Sequence, residues 1–180
     1  MFGAGGVVSH GSWSNHDVTR IASRLNDQRH LAHALAVLTT VGGTPAVYAG
    51  DEHAFRGTKE DRAGGDDAVR PPFPPTLEDM SPLGVPVFAQ HQELLGLRLR
   101  HPWLHHAHTR VLDVADEYIA LASTADGERV VTVLSTADHP QTVAAAGVRD
   151  VLAGTARIDH PGNQNAQVIV EAHGWAVLSS

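Results

Sequence analysis

Apolar positions along this chain follow two different periods. Leu31, Ala34, Leu35, Leu38 and Val41 recur at helical spacing and predict one apolar helix face. Asn26 or Asp27 is placed to cap that helix, and Gly42-Gly43 to end it. Ahead of it, Gly11 to Asn15 reads as a short strand. Behind it, Pro45 opens a second strand, a position where no N–H is needed. Ala46 to Ala49 is nearly all apolar, which suits a strand buried on both faces. Strand, helix, strand in this order predicts an α/β unit with a parallel sheet. A further helix begins near Val85, with Val87, Phe88, Leu94 and Leu95 facing inward, and stops before Pro102, which disfavours helix at His101.

From Thr109 the period falls to two. Val111 and Val114, then Tyr118, Ala120 and Ala122, alternate imperfectly before Asp126-Gly127, a hairpin-turn pair. Val130, Val131, Val133 and Leu134, Val143, Val148, Val151-Leu152, Val168 to Val170 and Trp175 to Leu178 follow, with His173-Gly174 as a second turn. Short strands at this spacing predict a small antiparallel β-sandwich. The fold class expected is therefore α/β plus all-β, with an α/β part over 1–104 and a sandwich over 105–180. The join is expected at about Pro102 to His108.

Residues His53 to Pro82 belong to neither pattern. Lys59-Glu60-Asp61-Arg62, Gly64-Gly65-Asp66-Asp67 and Arg70-Pro71-Pro72-Phe73-Pro74-Pro75 are too polar and too rich in proline to bury much. A loop of this length inside a compact domain is usually functional or disordered. The composition, 42% hydrophobic with 17 Gly and 10 Pro among 180 residues, is that of a globular chain. A net charge of −7 with no basic run argues against a nucleic-acid partner, and no apolar stretch has the length of a membrane span. The absence of cysteine excludes disulfides and thiolate metal sites. Met1 to Gly6 has neither the basic start nor the apolar centre of a secretion signal, so the compartment stays open, with the cytoplasm the simpler expectation.

Candidate chemistry is concentrated in Ser14-Asn15-His16-Asp17-Val18-Thr19-Arg20. At a strand end, where the chain turns, a carboxamide, an imidazole and a carboxylate can converge on one concavity. His16 can donate to a sugar hydroxyl, and Asp17 can face a developing positive charge. Arg20 could pair with Asp17 or with another carboxylate. Arg70, set among prolines, could line a ligand site or act as a structural clamp. Tyr48 and Phe55 are expected in packing, and Asp51-Glu52 in supporting the loop. His101, His105, His106 and His108 have metal-like spacing, yet no acidic or cysteine ligand joins them, and no metal or cofactor is expected.

A second block, Gly42-Gly43-Thr44-Pro45-Ala46-Val47-Tyr48-Ala49-Gly50-Asp51-Glu52, follows the triplet in order. Together the two blocks resemble the α-amylase family of glycoside hydrolases, in which an Asn-His-Asp triplet closes barrel strand seven and a Gly-x-Pro…Tyr-x-Gly-Asp-Glu block forms strand eight. The loop Lys59 to Pro74 and the helix Leu94 to Trp103 resemble the segments that follow in certain bacterial members. The resemblance implies the C-terminal part of a TIM (β/α)8 barrel followed by a small antiparallel β-sandwich. It implies retaining cleavage or transfer at α-glucosidic bonds, with Asp17 as transition-state stabiliser and His16, Asn15 and Arg70 as substrate-binding residues. The implied partners are an α-linked gluco-oligosaccharide or α-glucoside and the missing N-terminal part of the barrel.

Retaining hydrolysis needs two carboxyl groups about 5–5.5 Å apart. The family's nucleophile and acid/base lie on earlier strands, and no Gly-x-Arg-x-Asp pattern or matching Glu is present here. The isolated chain is expected to be inactive. The alternative is a non-catalytic carbohydrate-binding or interaction module. Two strands and two helices are also expected to leave apolar faces uncovered and strand edges unpaired.

Overall fold

In the computed structural model, residues 10–180 are described apart from 77, 78, 81 and 83. The described chain runs β1 (His10–Gly11), α1 (Ile21–Arg24), α2 (Leu31–Thr40), β2 (Thr44–Pro45), α3 (Gly84–Arg100) and then β3 (His108–Ala115), β4 (Tyr118–Ala125) and β5 (Glu128–Ser135). β6 (Gln141–Ala144), β7 (Val151–Gly154), β8 (Arg157–Asp159), β9 (Gln167–Val170) and β10 (Trp175–Ser179) complete it. This is a mixed α/β chain with antiparallel sheets. Among the described residues, no helix is long and apolar enough to cross a membrane.

β1 and β2 pair in parallel, with His10 opposite Thr44 and Gly11 opposite Pro45. The cap expected for the helix between them lies one turn earlier, and α2 itself follows His30 without a side-chain cap. The Asp27 carboxylate accepts from the Arg29 backbone N–H at 2.9 Å and caps a 3-10 turn, Gln28–His30, that runs into α2. At the other end Arg98 of α3 donates to the carbonyls of Thr39 (3.0 Å), Val41 (2.7 Å) and Gly43. A cation there satisfies carbonyls that the helix itself leaves without donors. Gly42 is required by a close approach, since a Cβ on it would lie 2.0 Å from the Ala107 carbonyl oxygen.

Three expectations about this half fail. Residues 12–18 form bends and turns beyond a two-residue β1, so the strand does not reach Asn15. β2 ends at Pro45, and Ala46 and Ala49 are exposed instead of buried on both faces. Two-sided burial needs neighbours across the ladder, and among the described residues this sheet has two strands. In α3, Leu94 and Leu97 are fully buried, but Phe88, expected inside, is exposed, as is Val85 at the helix start. The N-terminal turns of that helix lie beyond the surface that its C-terminal half packs against.

The β-rich half follows its pattern closely. β3, β4, β5, β10 and β7 form one antiparallel sheet in that order, and β6, β9 and β8 form a second. Asp126 and Gly127 both take positive φ, 54° and 82°, the geometry of the tight hairpin turn between β4 and β5. Between the sheets lie Ala120, Ala122, Val131, Val133, Val143, Val168, Val170, Ala176 and Leu178. β5 is buried from Val130 to Ser135, on both faces, which explains its unbroken apolar run. Its second face carries Val130 and Leu134 and, with Val177 of β10, packs against Leu35, Leu38, Leu94, Leu97 and Leu104. The Thr132 hydroxyl reaches Thr40 of α2 at 2.8 Å in this layer. The five-stranded sheet thus covers α2 and the C-terminal half of α3, where open apolar faces were expected, while Val85 and Phe88 stay exposed.

Candidate functional site

The triplet sits in a turn just beyond β1, held by short-range bonds. Asn15 Oδ1 accepts from the Asp17 N–H at 2.7 Å, and the buried Ser14 hydroxyl accepts from the Ile21 N–H at 2.9 Å. The first contact turns the chain after Asn15 and the second caps α1. His16 Nε2 lies 3.1 Å from Asp17 Oδ2, with the two side chains 64% and 57% exposed. They therefore stand at the surface and can meet a ligand.

Arg70 comes to this pair from the long loop. Its Nε donates to the His16 carbonyl at 2.9 Å, and its Nη2 donates to Asp17 Oδ1 at 2.9 Å and Asp66 Oδ2 at 2.7 Å. One guanidinium thus fixes the backbone at His16 and the carboxylate of Asp17. Asp66 is held in turn by Lys59, whose hydrogen bond is the largest cause keeping its carboxyl below the usual carboxylate range. Held ionised in this way, the Asp66 carboxyl is a poor proton donor near neutral pH.

Beneath the exposed pair lies a buried one. Arg20, 2% exposed, donates from Nη1 to Asp51 Oδ1 at 2.9 Å and to the Ala49 carbonyl at 2.7 Å, and from Nε to the Val69 carbonyl at 2.9 Å. Its guanidinium stands 4.0 Å from the centre of the Tyr48 ring. Of the possibilities left open from sequence, Asp17 or another carboxylate, Arg20 takes another, Asp51. Burial raises the Asp51 carboxyl above its ordinary range, and hydrogen bonds from Arg20 and Ser14 oppose that rise. Backbone bonds from Arg20 to Gly57 (2.9 Å) and from Gly57 to the Ser23 hydroxyl (2.9 Å) continue the seam, as does Lys59 N–H to the Thr19 hydroxyl (3.0 Å). The charged loop is therefore tied to the triplet segment, and it buries Val69 and Gly65 despite its composition.

Asn15, His16, Asp17 and Arg70 are brought together. The histidines near the end of α3 are not: His101 faces the Leu97 carbonyl, His105 faces Thr44, and His106 faces Asp126. Asp66 escaped the sequence reading, although its spacing of four from Arg70 is a pairing signal. A second group, Asp27, His30 and His173, has ligand atoms within 4.8 Å of one another. Asp27-x-x-His30 is visible in sequence, but His173 lies 143 residues beyond His30.

Chains of known structure share this fold. The debranching enzyme of Nostoc punctiforme, from an acarbose-soaked crystal, superposes with a TM-score of 0.75 at 21% identity over 96% of this chain and 34% of its own. The α-amylase of H. orenii gives 0.75 at 16% identity, over 96% and 40%. The trehalulose synthase MutB of Pseudomonas mesoacidophila gives 0.71 at 15%, over 96% and 43%. This chain thus spans well under half the length of these structures. A search of curated proteins found no match. The family profile described as the α-amylase catalytic domain matches residues 4–118, and with that match over more than half its length this chain belongs to the α-amylase family.

Proposed function

We propose that this chain is the C-terminal portion of a retaining glycoside hydrolase or transglycosylase acting on α-glucosidic bonds. Its first 104 residues carry the last two strand–helix units of a (β/α)8 barrel, and residues 105–180 form the appended sandwich. The observation that carries this reading is the common placement of the two sequence blocks. β1 and β2 are parallel and adjacent. The triplet follows the C-terminal end of β1, Tyr48 to Glu52 follows that of β2, and the buried Arg20–Asp51 pair joins them. Barrel active sites are assembled from chain segments at that end of the strands.

In this reading Asp17 is the transition-state stabiliser. Arg70 orients its carboxylate, and His16 donates to a sugar hydroxyl. Asn15 sets the turn through Oδ1 and presents its amide to the substrate. The groups that form and break the glycosidic bond come from strands outside this chain, so the substrate is an α-glucoside or α-linked gluco-oligosaccharide bound jointly with them. The alternative, a carbohydrate-binding module without chemistry, uses the same His16–Asp17 surface.

Two assays test the proposal. The isolated chain should not turn over maltose, isomaltose, sucrose or a nitrophenyl α-glucoside, because one carboxylate cannot act as both nucleophile and acid. Joined to a family barrel's preceding strands, it should support activity that Asp17→Asn lowers about 10²–10³-fold in kcat, with a much smaller change in KM. Turnover by the isolated chain, or a joined Asp17→Asn enzyme of normal kcat, overturns the assignment.

A further inference from the structure

We propose that Asp27, His30 and His173 form a binding site for a divalent transition-metal ion, Zn²⁺ by preference, that clasps the start of α2 to the turn between β9 and β10. The three ligand atoms lie within 4.8 Å of one another. His30 Nε2 is 2.9 Å from His173 Nδ1, and that nitrogen is 4.0 Å from Asp27 Oδ2. Each residue is placed by its own element. Asp27 caps the turn leading into α2, and His30 ends that turn. His173 occupies a tight turn with φ of 53° that aims the chain from one sheet into the other.

The tautomer of His173 is set for ligation. Its Nε2 lies 2.7 Å from Asp138 Oδ1, and a carboxylate accepts, so Nε2 carries the proton and Nδ1 keeps a lone pair directed at His30. A carboxylate behind an imidazole is the arrangement that orients metal-bound histidine. His33 stacks on His30 with ring centres 4.7 Å apart and bonds to the His173 carbonyl at 3.0 Å, bracing both ligands.

The donor set selects the ion. Two imidazoles and one carboxylate suit zinc and its neighbours, whereas calcium and magnesium require oxygen. Zinc–nitrogen bonds of about 2.0–2.1 Å in tetrahedral geometry place two nitrogens roughly 3.3 Å apart, a few tenths of an ångström beyond the present spacing. Arg29 already donates to both Asp27 oxygens. Oδ2, the oxygen nearest His173, accepts from both Nε and Nη2 of Arg29, so a metal bond there takes the place of one of these contacts.

The test is zinc titration of the chelator-treated full chain by calorimetry, with Co²⁺ absorption reporting coordination. Because the chain has 13 histidines, site identity must be read from variants. The wild type should bind one zinc at least tenfold more tightly than any further ion, and Co²⁺ should give the intense visible bands of a four-coordinate site. His30→Gln/His173→Asn should abolish the tight equivalent, asparagine being tolerant of positive φ. His101→Gln/His105→Gln should retain it. Asp138→Asn should weaken it roughly tenfold, as loss of an orienting carboxylate does. Circular dichroism and the urea midpoint without metal verify that each variant is folded, and if the double variant is not, His30→Gln alone must show at least the tenfold loss. Absence of a tight equivalent, or its survival in the folded ligand variants, overturns the proposal.

Discussion

Replacing Arg20 by leucine removes the central tie of the site without touching the exposed triplet. The side chain is 2% exposed, and Asp51 beside it 7%. Loss of the guanidinium leaves a buried carboxylate without its cation and deprives the Ala49 and Val69 carbonyls of donors. Breaking one side of a buried ion pair costs about 3–5 kcal/mol. For a chain of this length that corresponds to a fall in Tm of roughly 6–20 °C if unfolding is cooperative. The loss should also depend on pH in a definite direction. Burial already raises the Asp51 carboxyl above its model-compound value of 3.8, with Arg20 opposing the rise, so removing Arg20 raises it further. An acid with a folded pKa above its unfolded one contributes stability at low pH, and that contribution disappears as pH rises through the folded value. The variant should therefore be most impaired at neutral pH, and its deficit against the wild type should shrink as pH falls toward 4. Urea unfolding followed by tryptophan fluorescence, from pH 4 to 7.5, measures both effects, and proteolysis within 56–70 reports whether the loop has come loose. In Arg20→Leu/Asp51→Asn part of the loss should be recovered, since no buried charge remains. A deficit below about 1 kcal/mol at pH 7, or one independent of pH, would refute the role assigned to the pair.

Two further outcomes follow from packing. Gly42→Ala should destabilise the chain by about 1–3 kcal/mol, because the added methyl meets the Ala107 carbonyl at 2.0 Å and must push apart the end of α2 and the start of β3; the shift in urea midpoint measures it. In native-state hydrogen exchange, Leu35 to Thr40 should be protected nearly as well as β5, because both line one buried layer, whereas Ala46 to Ala49 should exchange rapidly. Fast exchange along α2 with a protected β5 would show that the two halves are not one cooperative unit.

What could be read in advance was whatever depends on local period and turn chemistry. The helix through Leu31 and Leu38, the Asp27-capped turn ahead of it, the stop at Gly42-Gly43 and the Asp126-Gly127 hairpin each rest on interactions within a few residues. The parallel relation of β1 and β2 followed from the helix between them, and the two motif blocks indicated the family. Tertiary structure decided everything that needed a partner distant in sequence. Arg20 chose Asp51 over Asp17, and Arg70, 53 residues from Asp17, became the clamp on that carboxylate. Ala46 and Ala49 are apolar enough for a two-sided strand, but burial is a property of neighbours, and the described residues provide none for them. The same physics worked in the opposite sense at α2 and α3. Their apolar faces were legible, while the five-stranded sheet that covers them became visible only in three dimensions, because a period of two identifies a strand without saying which layer lies against its second face. His173 belongs to that class as well. A lone histidine before a glycine marks a turn, and only the folding of that turn against α2 sets it beside His30 and Asp27.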